Sequence, residues 1–241
     1  MRASAELTAA APLVAGGPPR LVRRRDAAPV AWRATPDAVY MVGTAASPVD
    51  HDVVDIDVSV EPGAALQLRS AAATVAWSGT GSEHHITASV ADGASLVWHP
   101  EPLIATAGCC HRQRARVRLE RRGKVRWIEE LLLGRHGEEP GALDLRLDVD
   151  VDGRPLLRHQ LAVGPGAPAW EGPAVLGPWR CLGLILDAGV GTPPCPPAAH
   201  SGPGGAWAAL QLEGPGRLLL ALAPDLPALR LALAAAQESI G

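Results

Sequence analysis

Four glycines at a spacing of 30 residues, Gly63, Gly93, Gly123 and Gly153, constrain this chain more than any other feature. Each is flanked by stretches in which apolar and polar residues alternate. Val54, Ile56, Val58 and Val60 oppose Asp55, Asp57 and Ser59. Ala115, Val117 and Leu119 oppose Arg114, Arg116 and Arg118, and Leu143, Leu145, Leu147 and Val149 oppose Asp144, Arg146, Asp148 and Asp150. Period-two alternation marks a half-buried strand. Glycine supplies the positive φ of a tight turn, and Asp92-Gly93 and Asp152-Gly153 are strong turn dipeptides. The pattern predicts four strand–turn–strand units in tandem over residues 55–160. A fixed period implies a stack in which each unit buries its apolar face on the next. In units three and four the apolar phase near the turn shifts by one residue. Such a shift exchanges strand faces unless a bulge absorbs it or the period is partly coincidental.

The chain has 241 residues and is 47% hydrophobic, enough for a sizeable core. Its only lysine is Lys124 and its only tyrosine Tyr40; Phe and Asn are absent. Such a bias fits a GC-rich coding sequence. The net charge of -3 gives no global basic field for nucleic acid. No signal peptide is expected, because residues 1–19 contain Glu6, Pro12 and a Gly-Gly-Pro-Pro run where an apolar region should be. No transmembrane helix is expected either, since Pro224, Asp225, Pro227 and Arg230 break the most apolar stretch, residues 218–236. Cys109, Cys110, Cys181 and Cys195 do not form a disulfide framework, so reduced thiols in a cytoplasm are the default.

Residues 1–20 read as a loose arm able to add an edge strand. Residues 39–42 read as a buried strand. Pro100 and Pro102 force an extended crossing, with Trp98 and Ile104 as anchors on either side. Residues 127–139 read as a strand or short helix ending in a polar loop. Proline and glycine rise after residue 164, and residues 191–205 read as a flexible or polyproline-like loop. Strands are expected at 182–186, 207–212 and 218–222. Asp225 caps a final helix that places Leu229, Leu233, Ala236 and Ile240 on one face.

Little here suggests catalysis: the chain has no nucleophile elbow, phosphate loop, dinucleotide fingerprint or His-Glu-x-x-His motif. The strand aspartates read as solvated faces. The Arg112, Arg114, Arg116 and Arg118 stripe reads either as a face balanced by acidic neighbours or as a dock for an acidic partner. Cys109, Cys110 and His111 carry soft ligands suited to nickel, copper or zinc. Adjacent strand residues point to opposite faces, so only Cys109 and His111 can act together, as a weak, transient site for one of these metals with no tightly bound cofactor.

Several short segments, in order, resemble the family of the urease accessory protein UreD, also called UreH. They are Gly17-Pro-Pro-Arg-Leu-Val22, Ser70-Ala-Ala-Ala-Thr-Val75, Trp98-His-Pro-Glu-Pro-Leu-Ile104, Arg112-Gln-Arg-Ala-Arg-Val117, Gly134-Arg-His-Gly-Glu138 and Asp152-Gly-Arg-Pro-Leu156. The resemblance is good over residues 12–165 and weaker beyond. Residues 43–50 and Val75 depart from the family pattern, so the chain reads as a divergent member whose full activity is in question.

The resemblance implies a single domain over residues 1–241, mainly β: a superhelical, β-helix-like stack over 12–165 and a Pro/Gly-rich part over 166–241 with a C-terminal helix. It further implies a non-enzymatic cytoplasmic scaffold. Such a scaffold binds apo-urease together with UreF and UreG, dimerises within the accessory complex, and delivers nickel through a tunnel. The leucine-rich residues 218–233 are more apolar than the small core they could close, which predicts an apolar docking surface there for UreF. The competing readings are a β-solenoid acting on carbohydrate, which needs two close carboxylates, and a generic β-rich binding module.

Overall fold

The computed structural model describes residues 1–14 and 17–240. Strands β1 (Arg2–Ala10) and β2 (Arg20–Arg25) pair antiparallel, as do β3 (Val30–Ala34) and β4 (Val39–Gly43). Three coils follow. The first is β5 (Val53–Val60), β6 (Ala65–Ser70) and β7 (Thr74–Ala76); the second is β8 (Ser82–Val90), β9 (Ser95–His99) and β10 (Leu103–Ala105); the third is β11 (Cys110–Leu119) and β12 (Lys124–Leu133). Strands β13 (Ala142–Val151) and β14 (Arg154–Val163) form a hairpin. The chain ends with β15 (Cys181–Gly189), β16 (Ala198–Gly202), β17 (Gly205–Gln211), β18 (Gly216–Ala223) and helix α1 (Leu226–Glu238).

Successive coils add parallel strands to two facing sheets. One sheet has the order β14-β13-β11-β8-β5-β1-β2. The other runs β16-β17-β18-β15-β12-β9-β6-β4-β3, with the short β7 and β10 beside it. The main core lies between them and includes Leu7, Ile56, Val58, Leu68, Val117, Val149 and Leu186. Trp98 and Trp127 are register partners in adjacent coils and stack at 4.6 Å. The expected mainly β stack with one C-terminal helix is therefore present.

The repeat differs from expectation in its third and fourth units. Val53 pairs with Glu83, a step of 30 residues, but Ser82 pairs with His111, a step of 29. The third turn is thus one residue out of phase with its glycine. Gly63 and Gly93 take φ of 71° and 70° at the third position of turns closed by Ala64 N–H to Glu61 O and Ala94 N–H to Ala91 O. That position demands left-handed backbone. In the third turn Gly123 N–H donates to Glu120 O, so Gly123 stands at the fourth position, where φ is not positive. Its lack of a side chain serves packing, since a Cβ there would lie 2.8 Å from the Val90 carbonyl oxygen. The fourth unit does not cross between sheets: Asp152 and Gly153, both at positive φ, close the β13–β14 hairpin. Among the described residues the four strand–turn–strand units are thus three coils and a terminating hairpin.

Other expectations are also corrected. Strand β1 is not a loose arm or an edge; it lies between β5 and β2, with Ala3, Ala5, Leu7 and Ala9 pointing into the core (Ala15 and Gly16 fall outside the described residues). Leu103, not Ile104, is the buried anchor after the proline crossing. The span 191–205 contains β16. Most leucines of residues 218–233 are core rather than exposed surface: Leu218 joins the main core, and Leu219, Leu229 and Leu233 pack with Ile128 and Ile185 under α1. The helix cap is as expected, with Asp225 Oδ1 accepting from Ala228 N–H at 2.8 Å.

Candidate functional site

Alternation decides which side chains enter the space between the sheets. The inward series of β5 is Val54, Ile56, Val58 and Val60. Register continues it through Ile86, Ala88 and Val90 of β8 and Ala115, Val117 and Leu119 of β11. These layers are apolar. One layer further down, Val54 pairs with His84 and His84 with Gln113. Below that, Ser82 pairs with His111, and both are buried. From the facing sheet, the inward series Val125, Trp127, Leu131 and Leu133 of β12 is interrupted by one carboxylate, Glu129.

These polar groups form a line. Ser82 Oγ lies 2.9 Å from His111 Nδ1, and the His111 ring meets the His84 ring edge-to-face at 4.8 Å. Gln113 Nε2 and Trp127 Nε1 donate to the same Glu129 oxygen at 2.9 and 3.0 Å. His84, Gln113 and Glu129 line a cavity of about 40 Å³ together with Ile56, Trp98 and Leu103. Pro100 and Glu101 of the exposed crossing border it as well. At the other end, Ser82 and His111 line a groove of about 570 Å³ shared with Cys110, Arg112, Asp144 and residues 165–168. The polar line therefore runs between an internal cavity and a surface groove.

Burial sets the charges along it. Desolvation raises the Glu129 carboxyl above its ordinary value, against hydrogen bonds from Trp127 and Gln113 that lower it. Desolvation brings His84 down to about 4, with Asp52 opposing the shift. It brings His111 down to about 3, assisted by the neighbouring His84. Both imidazoles are neutral at neutral pH, and His111 Nε2 is buried with no hydrogen-bond partner among the described residues. Neutral imidazole nitrogens and a carboxylate suit a divalent cation of intermediate softness. Among the described residues, no three His, Cys, Asp or Glu side chains converge into a metal cage. The arrangement offers contacts in succession rather than a closed coordination shell.

The expected pair, Cys109 and His111, is buried, while Cys110 is exposed. The two buried residues have different surroundings. Cys109 packs among Ala76, Leu103, Ala105 and Leu143, its Sγ 3.8 Å from the Ala142 carbonyl, and burial pushes its thiol up to about 11. His111 belongs to the polar line. Sequence reading missed the inward placement of His84, Gln113 and Glu129. The available signal was strand parity: counting back two from Ile86 and Ala115, or on two from Trp127, places each inside. The arginine stripe is partly balanced: Arg112 pairs with Glu83 at 2.7 Å and Asp144 at 3.5 Å, and Arg114 also pairs with Asp144.

The family model described as "UreD urease accessory protein" matches residues 2–240. The chain belongs to the UreD family. Urease accessory protein UreD 3 of Streptomyces griseus is 40% identical over 229 residues, covering 92% of this chain and 86% of the relative. Urease accessory protein UreD of Streptomyces coelicolor is 37% identical over 233 residues, covering 95% and 89%. UreD 2 of Saccharopolyspora erythraea is 41% identical over 199 residues, covering 80% and 70%. Membership thus extends past residue 165 into β15–β18 and α1. No helix among the described residues is long and apolar enough to cross a membrane.

Proposed function

We propose that this chain acts in urease maturation as a non-catalytic cytoplasmic scaffold that passes nickel to apo-urease together with UreF and UreG. The observation that carries the reading is the polar line from Ser82 and His111 through His84 and Gln113 to Glu129, inside an otherwise apolar sandwich. A structural core gains nothing from a buried carboxylate and two desolvated imidazoles, which cost stability wherever they are imperfectly paired. A route for a cation needs them. Nickel is the cargo here, so weak sequential contacts suit release better than a full cage. The weak contact at Cys109 and His111 remains part of this proposal, with His111 presenting a neutral ring and Cys109 needing to lose a tightly held proton.

The experiment is complementation of a urease operon lacking its own UreD, reading urease activity and nickel content. The native chain restores both. Glu129→Gln keeps acceptor geometry for Trp127 and Gln113 but removes the charge, and restores about a tenth or less. If Glu129→Gln and His84→Ala both complement like the native chain while remaining folded, the interior is not the route.

A further inference from the structure

Outside this interior, the outer face of the second sheet carries a second concentration of charge. Register aligns Arg126 of β12, Asp187 of β15 and Arg217 of β18 in one row. Lys124 stands two residues before Arg126 on the same face. A groove of about 310 Å³ lies over these residues, bordered by Ser95, Gly191, Thr192 and Pro193. Its lining contains three cationic side chains, Lys124, Arg126 and Arg217, and one carboxylate, Asp187. Arg217 Nε donates to Asp187 Oδ2 at 3.0 Å, and Arg126 Nη1 lies 3.5 Å from Asp187 Oδ1. The single carboxylate is thereby shared, leaving a formal excess of two positive charges.

Burial sharpens the imbalance. The Arg217 side chain is 13% exposed and Asp187 15%. Arg217 Nη1 is buried with no hydrogen-bond partner among the described residues. An enclosed guanidinium with unused donors ordinarily finds an acceptor, because leaving it unmet forfeits charge-assisted hydrogen bonds. The loop above is shaped to approach the sheet. Thr192 N–H and Oγ1 both donate to Gly189 O, and Gly189 and Gly191 take φ of 122° and 87°. A Cβ on Gly191 would stand 3.8 Å from Lys124 Nζ, which places the ammonium against the underside of the loop. The concentration does not follow from overall composition, since the whole chain is net negative and Lys124 is its sole lysine.

We infer that Lys124, Arg126 and Arg217 form a binding site for a doubly charged oxyanion of the phosphate class, held between β12, β18 and the loop at 190–193. Two uncompensated cations match the charge of a phosphate or phosphate monoester near neutral pH. Arginine provides planar paired donors and Lys124 a point charge, a combination suited to tetrahedral oxyanions. Asp187 holds the two guanidinium groups in place without neutralising both. The site lies on the outer face of the second sheet, whereas the polar line lies between the sheets.

The unique lysine supplies the test. The full-length chain is acylated with an amine-reactive reagent, and modification of Lys124 is followed by peptide mass spectrometry. Inorganic phosphate at about 10 mM slows acylation of Lys124 about fivefold or more relative to sodium chloride of equal ionic strength. Methyl phosphate is run as a second arm: protection by both means a site open to monoesters, and protection by inorganic phosphate alone means a closed site for the free ion. Arg126→Gln abolishes the protection. Independently of any variant, phosphate raises the Tm of the native chain and matched chloride does not. Equal acylation rates with and without phosphate, equal protection by acetate, or protection that survives Arg126→Gln each overturns the assignment and leaves the row as a structural ion pair.

Discussion

Arg230 of α1 clasps Glu130 of β12 from 100 residues away, with Nε 3.1 and 3.0 Å from its two carboxylate oxygens and Nη2 2.7 Å from one of them. Glu130 is 4% exposed, so the guanidinium is its main compensation; Nη2 also reaches Glu101 at 3.3 Å. The pair joins the last helix to the coil stack and to the proline crossing. Arg230→Ala leaves a buried carboxylate unpaired and is expected to cost about 3 kcal/mol, the low end for such losses because Arg230 itself is half exposed. Adding Glu130→Met recovers most of that loss. Urea unfolding of the two single variants and the double variant measures it, and strict additivity would show that the groups do not interact.

The turns make a second prediction. Gly93 has positive φ and no atom within 4 Å of a would-be Cβ, so Gly93→Ala costs about 1 kcal/mol through backbone strain alone. Gly93→Asn, which tolerates the left-handed region, costs less. Gly123 reverses that order, because its backbone is ordinary and its surroundings are tight: Ala is damaging and Asn more so. Thermal melts of the four variants separate strain from collision.

Much of this was legible in the sequence, and the third unit shows where legibility ended. The spacing of Gly63 and Gly93 reports a true coil period because both occupy the same turn position. Gly123 preserves the spacing by coincidence, one place further along its turn, after a coil one residue shorter. The phase shift in the flanking apolar pattern was the visible trace of that shortening. Strand β1 was hidden because its inward residues are mostly alanine, whose burial carries little hydropathy signal. His84, Gln113 and Glu129 were hidden for the opposite reason: a polar residue at an inward position is read as a break in the pattern. Register sets His84 beside Gln113, and only the Gln113–Glu129 hydrogen bond across the sandwich brings in the third.

Acid should destabilise this fold through its histidines. His84 and His111 titrate near 4 and 3 in the native state, against 6.5 ordinarily. Between those values the unfolded chain binds protons that the native chain refuses. The histidine contribution to stability is therefore complete above about pH 6.5 and falls as pH decreases, by about 1.4 kcal/mol per pH unit for each histidine. His111→Asn halves the slope between pH 6 and 4 in denaturant titrations; an unchanged slope would mean that His111 is not buried neutral.

Glu129 contributes with the opposite sign. Its raised native value means that the folded chain holds this proton to higher pH than the unfolded chain does. Stability is lost as pH rises from 4.5 through that raised value. Glu129→Gln therefore has a Tm at neutral pH equal to or above that of the native chain, even as it fails in complementation. A large drop in Tm would instead make Glu129 a structural residue.

Nickel binding by the chain alone is expected to be weak, on the order of micromolar or poorer. His111→Ala and Cys109→Ala each reduce it, and Cys110→Ala leaves it nearly unchanged. Because burial holds the Cys109 thiol near 11, metal must displace a proton there, so affinity rises with pH. Calorimetry at two pH values in buffers of different ionisation enthalpy reads both the affinity and the proton released. Equal losses from all three substitutions would place the contact elsewhere.

The long reach of Arg230 also has a consequence for synthesis. The parallel coils close between segments about thirty residues apart, so they can assemble as they leave the ribosome, each on the one before. Glu130 emerges a hundred residues ahead of its partner. Until α1 is released, the third coil carries an uncompensated carboxylate beside Ile128, which at that stage is still uncovered. The nascent chain therefore passes through a long interval in which the coils are built and one sheet face stays wet. A chaperone, or a partner with an apolar helix, would find its best opportunity in that interval, before the protein's own last helix takes the place.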